Sequence, residues 1–200
     1  MSSLYNAEIA AGSLMPLESR RVAGLLLTKP DESAWVQALR IDNLLQKRSP
    51  ATAQRMARLI RHRLETLDVT ALEMIVNREQ EVCIQLLLVA GIKHSHLLGD
   101  FIRDVYMAHQ RRLEQELLPR DWESFLAECA HRDASVTSWY PSTKAKLFQV
   151  IIRILSEAKY LESTRSMKLT PQSLHPDVRH YLDVKEDPGL IVLLERAQCP

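Results

Sequence analysis

The stretch SPATAQRMARLIRHRLETL, residues 49–67, carries a complete helix signal and decides the fold class. Ser49 is a good N-cap and Pro50 a good first helical residue, because the missing proline N–H would have no partner there. Apolar residues then recur at three- and four-residue spacing, and arginines fall between them. The pattern predicts a helix with one apolar and one basic face. Its apolar positions are Ala53, Met56, Ala57, Leu59, Ile60, Leu64 and Leu67.

The basic face belongs to a longer tract without acidic residues. Between Asn43 and Leu64 there are six lysines and arginines and one histidine, although the whole chain has 26 basic and 25 acidic residues. An exposed helix with no nucleic-acid partner usually mixes both charge signs. We therefore predict that this face binds DNA. The candidate residues are Lys47, Arg48, Arg55, Arg58, Arg61 and His62.

A second helix is predicted just before this one. Asp31 can cap a helix that runs from Glu32 to about Leu45, and residues 47–49 then form a short break. This order is typical of a helix-turn-helix, in which the second helix enters the major groove of DNA. A helical hairpin with a solvated basic face would show the same pattern, so both interpretations stay open.

A similar pair of helices is predicted after Pro119, where we place a boundary between subdomains 1–118 and 119–200. The first helix follows Asp121, and the second extends from Ser142 to Lys159. Residues 160–170 alternate in polarity and would form a short β-hairpin wing. An irregular loop is an equal alternative, because the turn lacks Asn-Gly chemistry. The second candidate DNA-binding set is Lys144, Lys146, Gln149, Arg153, Arg165 and Lys168.

Composition favours a compact all-α protein with two helix-turn-helix-like units. The chain has 200 residues, 46% of them hydrophobic, and only five glycines. Cys83, Cys129 and Cys199 are odd in number and widely spaced, which indicates reduced thiols. The chain shows no signal-peptide pattern, no apolar run long enough to cross a membrane and no heptad seam. We therefore expect a cytoplasmic monomer.

The sequence lacks the common motifs that indicate catalysis or cofactor binding. There is no glycine-rich phosphate loop, no HExxH and no GxSxG. His94 and His96 are two residues apart, so they point to different sides of a helix and predict no metal site. We expect a protein without catalytic residues, metal or cofactor. RNA is a less favoured ligand than DNA, because no aromatic residue lies among the basic ones for base stacking.

The opening residues YNAEIAAGSLM, at 5–15, are continued by LESRRVA at 17–23 and LLL at 25–27. This order is not dictated by amphipathicity, and it resembles the start of the BrxA family, small proteins of bacterial phage-exclusion (BREX) systems. The resemblance implies an all-helical cytoplasmic protein that binds double-stranded DNA through helix-turn-helix elements without catalysis. It also implies partners, namely a site-specific DNA methyltransferase and other BREX components.

The resemblance assigns no chemical role to Tyr5, Asn6 or Glu8, for which we expect packing roles. The predicted function is therefore duplex binding, mainly to phosphates, through the two basic faces of this chain. The alternative is a protein-interaction adaptor whose basic helix docks on an acidic partner.

Overall fold

A computed structural model describes residues 3–195, and all of its regular elements are helical. The α-helices are α1 (Pro16–Leu27), α2 (Glu32–Arg40), α3 (Pro50–Leu64), α4 (Val69–Asn77), α5 (Gln80–His94), α6 (His96–Phe101), α7 (Met107–Arg111), α8 (Pro119–Arg132), α9 (Pro141–Glu157), α10 (Pro176–Val184) and α11 (Pro188–Leu194). Glu8–Ala11 and Ala134–Ser138 form 3₁₀ turns, and Ile102–Tyr106 is π-helical. The predicted all-α class is confirmed.

The chain divides into two compact units. The first unit is Leu14–His94, and the second combines Met1–Ser13 with Ser95–Pro200. Pro119, where the sequence suggested a boundary, lies inside the second unit and begins α8 there. The chain passes between the two units after Ser13 and again after His94. The next residue, Ser95, is the N-cap of α6, and its side chain accepts a hydrogen bond from the Leu98 N–H.

The first unit is built around α5. Every residue from Val82 to Ile92 is buried, because α1, α3 and α4 all pack against this helix. The helix α2 packs on α3 at the edge of the unit. No single helix within residues 3–195 is long and apolar enough to cross a membrane, and Gln80–His94 passes that test only when joined to His96–Arg111.

An aromatic cluster forms part of the core of the second unit. The Phe101 ring lies edge-on to Trp122 and Phe125, with centroids 5.9 and 5.2 Å apart, and Phe148 of α9 stacks on Trp122 at 5.5 Å. These contacts join α6, α8 and α9. They fix the direction of α9, whose outer surface carries the second predicted DNA-binding strip.

The connection between α2 and α3 differs from the prediction. The helix α2 ends at Arg40 rather than near Leu45, and residues 41–49 are not helical. Asn43 and Gln46 adopt left-handed backbone conformations, and Leu45 turns into the core with 2% of its surface exposed. The break is therefore longer than the three- or four-residue turn of a tight helix-turn-helix. Leu45 is therefore buried from a loop, whereas the predicted helix would have ended near it.

The predicted β-hairpin wing does not form. Residues 160–170 make only two isolated antiparallel bridges, Leu161 with Leu169 and Glu116 with Lys168. The turn folds locally instead, because the Ser163 hydroxyl accepts a hydrogen bond from the Ser166 N–H at 3.0 Å. An irregular loop, held by one bridge within itself and one bridge to Glu116, replaces the hairpin. This agrees with a turn that lacks Asn-Gly.

Two of the three cysteines are free thiols in the core. Cys83 and Cys129 are fully buried, and Cys199 lies outside the described residues. Burial raises the pKa of the Cys129 thiol to about 11 and also raises that of Cys83. The reactive thiolate is therefore a minor species at neutral pH.

We expect iodoacetamide at pH 8 to alkylate Cys129 at least about a hundredfold more slowly in the folded protein than in denaturant. Peptide mass spectrometry of timed samples measures the rate at each cysteine. Equal rates in the two conditions would contradict the buried placement of this thiol.

Candidate nucleic-acid interface

The helix α3 begins and ends where its local signals predict. The Ser49 side chain accepts a hydrogen bond from the Thr52 N–H at 3.4 Å, and Pro50 occupies the first turn. Ala53, Ala57 and Ile60 face the core of the first unit, where α3 packs on α1 and α5. The opposite side of the helix is therefore held outward on a rigid scaffold.

Three predicted arginines lie exposed near the start of this helix. Arg48, Arg55 and Arg58 are all exposed, and within residues 3–195 their side chains make no hydrogen bond or ion pair. Arg55 and Arg58 are three residues apart on α3, so their side chains share one face. Their positive charges are thus available to an external anion.

The other three predicted residues of the first set already have neighbours. Lys47 Nζ lies 2.7 Å from Glu18 Oε1 on α1, and Arg61 Nε lies 2.7 Å from Glu65 Oε1. The His62 ring centroid is 6.2 Å from that of His94. Acids from outside the acid-free tract therefore neutralise two of its cations.

The ion pair of Lys47 is strong enough to affect its partner. Burial by itself would raise the pKa of the Glu18 carboxyl, but the hydrogen bond and positive charge of Lys47 outweigh burial and lower that pKa. Lys47 thus holds the connection before α3 against α1. Arg63, left out of the predicted face, is buried with 4% of its surface exposed.

A groove between α2 and α3 contributes residues that the sequence analysis missed. This α2–α3 groove has a volume of about 430 Å³ and is lined by Glu32, Trp35, Val36, Leu39, Arg40, Gln54, Arg58, Arg61, His62 and Glu65. Arg40 is exposed at the end of α2. Arg40 is the last residue in the amphipathic pattern of α2, so the sequence did contain a signal for it. Because α2 was predicted to extend to about Leu45, Arg40 was not expected at the end of a helix beside α3.

The second predicted set lies on the second unit. Lys146, Gln149 and Arg153 are exposed on α9 at spacings that place them on one side of the helix, and Lys144 is half-buried near its start. Arg153 Nε contacts Glu157 Oε1 at 3.2 Å, so its charge is partly neutralised. The first turn of α9 contains no acidic residue.

Arg165 and Lys168 are exposed in the loop at 160–170. The backbone of Lys168 is held by the bridge to Glu116, and its carbonyl accepts a hydrogen bond from the Glu162 N–H at 2.9 Å. The two side chains therefore project from a tethered backbone rather than from a wing.

The sequence of this chain is similar to those of known proteins. The sequence model of the BrxA family matches residues 3–186. The chain belongs to the BrxA family. A relative named BREX protein BrxA from Paramagnetospirillum magneticum (strain ATCC 700264 / AMB-1) is 40% identical over 179 residues, which are 89% of each chain. The BREX protein BrxA of Escherichia coli O9:H4 (strain HS) is 34% identical over 188 residues, 94% of this BrxA-family chain and 88% of that protein.

A solved structure has the same fold as this BrxA-family chain. The crystal structure of an uncharacterized protein from Magnetospirillum magneticum superposes with a TM-score of 0.88 at 34% sequence identity. The match covers 97% of the present chain and 100% of that protein. The resemblance first seen in residues 5–27 therefore extends along nearly the whole chain.

The opening string of the BrxA-family chain packs in the second unit. Tyr5 is 1% exposed, and its hydroxyl donates a hydrogen bond to Asp100 Oδ2 at 2.5 Å. The Tyr5 N–H donates to Asp133 Oδ2 at 3.0 Å, and this bond with those from nearby serines holds the pKa of Asp133 well below its usual range. Arg132 binds Asp104 at 2.7 Å in the same cluster. The expected packing role of Tyr5 is confirmed.

Proposed function

We propose that this BrxA-family chain is a non-catalytic, double-stranded DNA-binding component of a bacterial phage-defence (BREX) system. One observation carries the proposal: Arg55 and Arg58 are exposed together on α3, whereas the neighbouring Lys47 and Arg61 are neutralised by acids. Cations that lack a partner on a rigid helix are suited to bind phosphates. The names of the relatives, BREX proteins, supply the biological setting.

Duplex DNA suits the shape of this surface. A helix such as α3 presents its exposed side as a straight rod that fits the major groove or lies along the backbone. Arg48, Arg55 and Arg58 would contact phosphates, which position a protein on DNA without reading sequence. On the second unit, Gln149 and Lys146 have side chains that can contact both phosphates and base edges.

The chain would act as a monomer in the cytoplasm, beside the DNA methyltransferase and other components of the system. In this proposal it supplies DNA affinity, and the chemistry on DNA belongs to its partners. The family match and the names of the relatives support a place among BREX components, and the methyltransferase partner is what the family resemblance implies.

One titration tests the proposal. Purified protein is added to labelled duplex DNA, single-stranded DNA and RNA of one sequence, at about 50 and about 200 mM salt. We expect the duplex to bind most tightly. If the protein neutralises about four phosphates, its affinity should fall roughly a hundredfold between the two salt concentrations.

The single-stranded samples are needed because Tyr140, just before α9, is 76% exposed and offers an aromatic ring for stacking. Tighter binding of single strands than of duplex would contradict the proposal. Failure to bind any nucleic acid at the lower salt concentration would favour the alternative, an adaptor whose basic helix docks on an acidic protein.

A further inference from the structure

The end of the α2–α3 groove nearest Arg40 gathers hydrogen-bond donors without an acid. When the Gln54 amide is oriented with its oxygen toward α2, that oxygen lies 2.7 Å from both Nε and Nη2 of Arg40. This contact holds the guanidinium against α3. It uses the Nε and Nη2 edge of Arg40 and leaves Nη1 without a hydrogen bond among the described residues. Arg58 lines the same groove and is exposed.

We infer that Arg40, Gln54 and Arg58 together bind one phosphate group of the DNA backbone in the α2–α3 groove. The inference rests on the proposed DNA binding and specifies how the first unit holds the backbone. The remaining edge of the Arg40 guanidinium, Nη1 with the second N–H of Nη2, can bind two phosphate oxygens; Arg58 supplies further donors, and Gln54 holds the Arg40 guanidinium in place. We call these three residues the phosphate clamp.

The charges along the groove favour this end over the other. Arg40 contacts Gln54 whereas Trp35 contacts Arg61, so α2 and α3 run in opposite directions. Glu32 begins α2 and therefore lies ~12 Å from Arg40 along the helix axis. The acids of the groove, Glu32 and Glu65, belong to the end away from the clamp. An anion is thus attracted to the Arg40 end.

Arg61 has a different role in the same groove. Its guanidinium lies over the Trp35 ring, 4.7 Å from the ring centroid, and its Nε binds Glu65. The contact with Trp35 joins α3 to α2, whereas the pair with Glu65 lies within the end of α3 and neutralises the charge of Arg61. Arg61 is therefore a positioning residue for the clamp, and we assign it no contact with phosphate.

The clamp is tested with the full chain and three single variants. Arg40→Gln removes the charge and the fork, Arg40→Lys keeps the charge without the fork, and Arg78→Gln removes a charge from the same unit outside the groove. Duplex dissociation constants are measured at several salt concentrations, for two unrelated sequences. Circular dichroism confirms that each variant is folded.

We expect Arg40→Gln to weaken binding about eightfold at ~0.1 M salt, equally for both sequences, and to reduce the slope of log K against log salt by about 0.9. Arg40→Lys should restore the slope but not the full affinity, because an ammonium cannot bind two oxygens in a fork. Arg78→Gln should leave affinity nearly unchanged.

Three results would overturn the inference, and they differ in whether they also contradict the proposed function. If wild-type protein binds duplex and Arg40→Gln leaves the slope unchanged, the clamp is wrong and the proposed function stands. If the wild type fails to bind duplex at low salt, both are wrong. A loss confined to one of the two sequences would also overturn the clamp, because a phosphate contact carries no base preference.

The source of the phosphate is settled by a further measurement on the same proteins. Inorganic phosphate is titrated against the wild type while the Arg40 Nε–H resonance is followed by NMR, with Arg40→Gln providing the assignment. We expect only a weak shift at millimolar phosphate and a strong shift with duplex. Saturation by inorganic phosphate at concentrations that leave duplex binding unaffected would overturn the assignment to the DNA backbone.

Discussion

Replacing both Arg55 and Arg58 with glutamate is expected to weaken duplex binding more than a hundredfold at ~0.1 M salt. Two phosphate contacts contribute about sixtyfold at that salt concentration, and the introduced carboxylates add repulsion from the backbone. Both side chains are exposed and have no partner within residues 3–195, so the substitutions should leave the fold intact. Fluorescence anisotropy with labelled duplex measures the loss, and circular dichroism checks the helix content.

Two controls separate this surface from a general charge effect. The double variant Arg111→Glu/Arg112→Glu changes the net charge equally at exposed positions outside both predicted sets, and should weaken binding less than about tenfold. Arg179→Gln removes a cation outside both predicted sets that Glu195 already neutralises, and should change affinity less than about threefold. Equal losses in the Arg55/Arg58 and Arg111/Arg112 variants would show that DNA binding does not depend on α3.

Replacing Tyr5 with alanine is expected to lower the free energy of unfolding by about 3–5 kcal/mol. The side chain is 1% exposed, so its removal leaves a cavity, and Asp100 loses the hydrogen bond donated by the Tyr5 hydroxyl. For a chain of this size the loss corresponds to a fall in Tm of about 10 °C or more. Thermal denaturation followed by circular dichroism measures it.

Tyr5→Phe is the matched control, because it keeps the ring and removes only the hydroxyl. We expect it to cost about 1.5–3 kcal/mol, the contribution of one hydrogen bond to a charged acceptor. A Tyr5→Ala protein with an unchanged Tm would show that the opening string does not stabilise the second unit. Unchanged DNA affinity in either folded variant would agree with the packing role.

Several helices were predictable because their signals are local. The start of α3 is defined by the capping hydrogen bond of Ser49 and by the fixed φ angle of Pro50. In the structure the helix begins at Pro50, as predicted. The helix predicted from Ser142 to Lys159 is found at Pro141–Glu157, where a proline again begins the helix but the N-cap Tyr140 makes no side-chain hydrogen bond. Caps and periodic apolar positions act within one or two helical turns, so no knowledge of the rest of the chain is needed.

The errors in the predicted fold occur where local signals were weak. The end of α2 was placed near Leu45 because Leu44 continues the apolar positions of the helix, whereas the helix ends at Arg40 and Leu45 is buried from a loop. Residues 160–170 alternate like strands, yet their backbone pairs with residues 115–117 as well as with itself. In both cases packing against distant segments outweighed the local preference.

The sequence by itself determined that this protein is helical, that it belongs with BrxA proteins by its opening string, and that positive charge is concentrated between Asn43 and Leu64. Only the tertiary structure decided which of those charges are available. Glu18 neutralises Lys47 from another helix, and Gln54 holds Arg40 beside Arg58. The reason is physical: charge composition is a property of the chain, but electrostatic attraction acts over a few ångströms of space, and folding sets those distances.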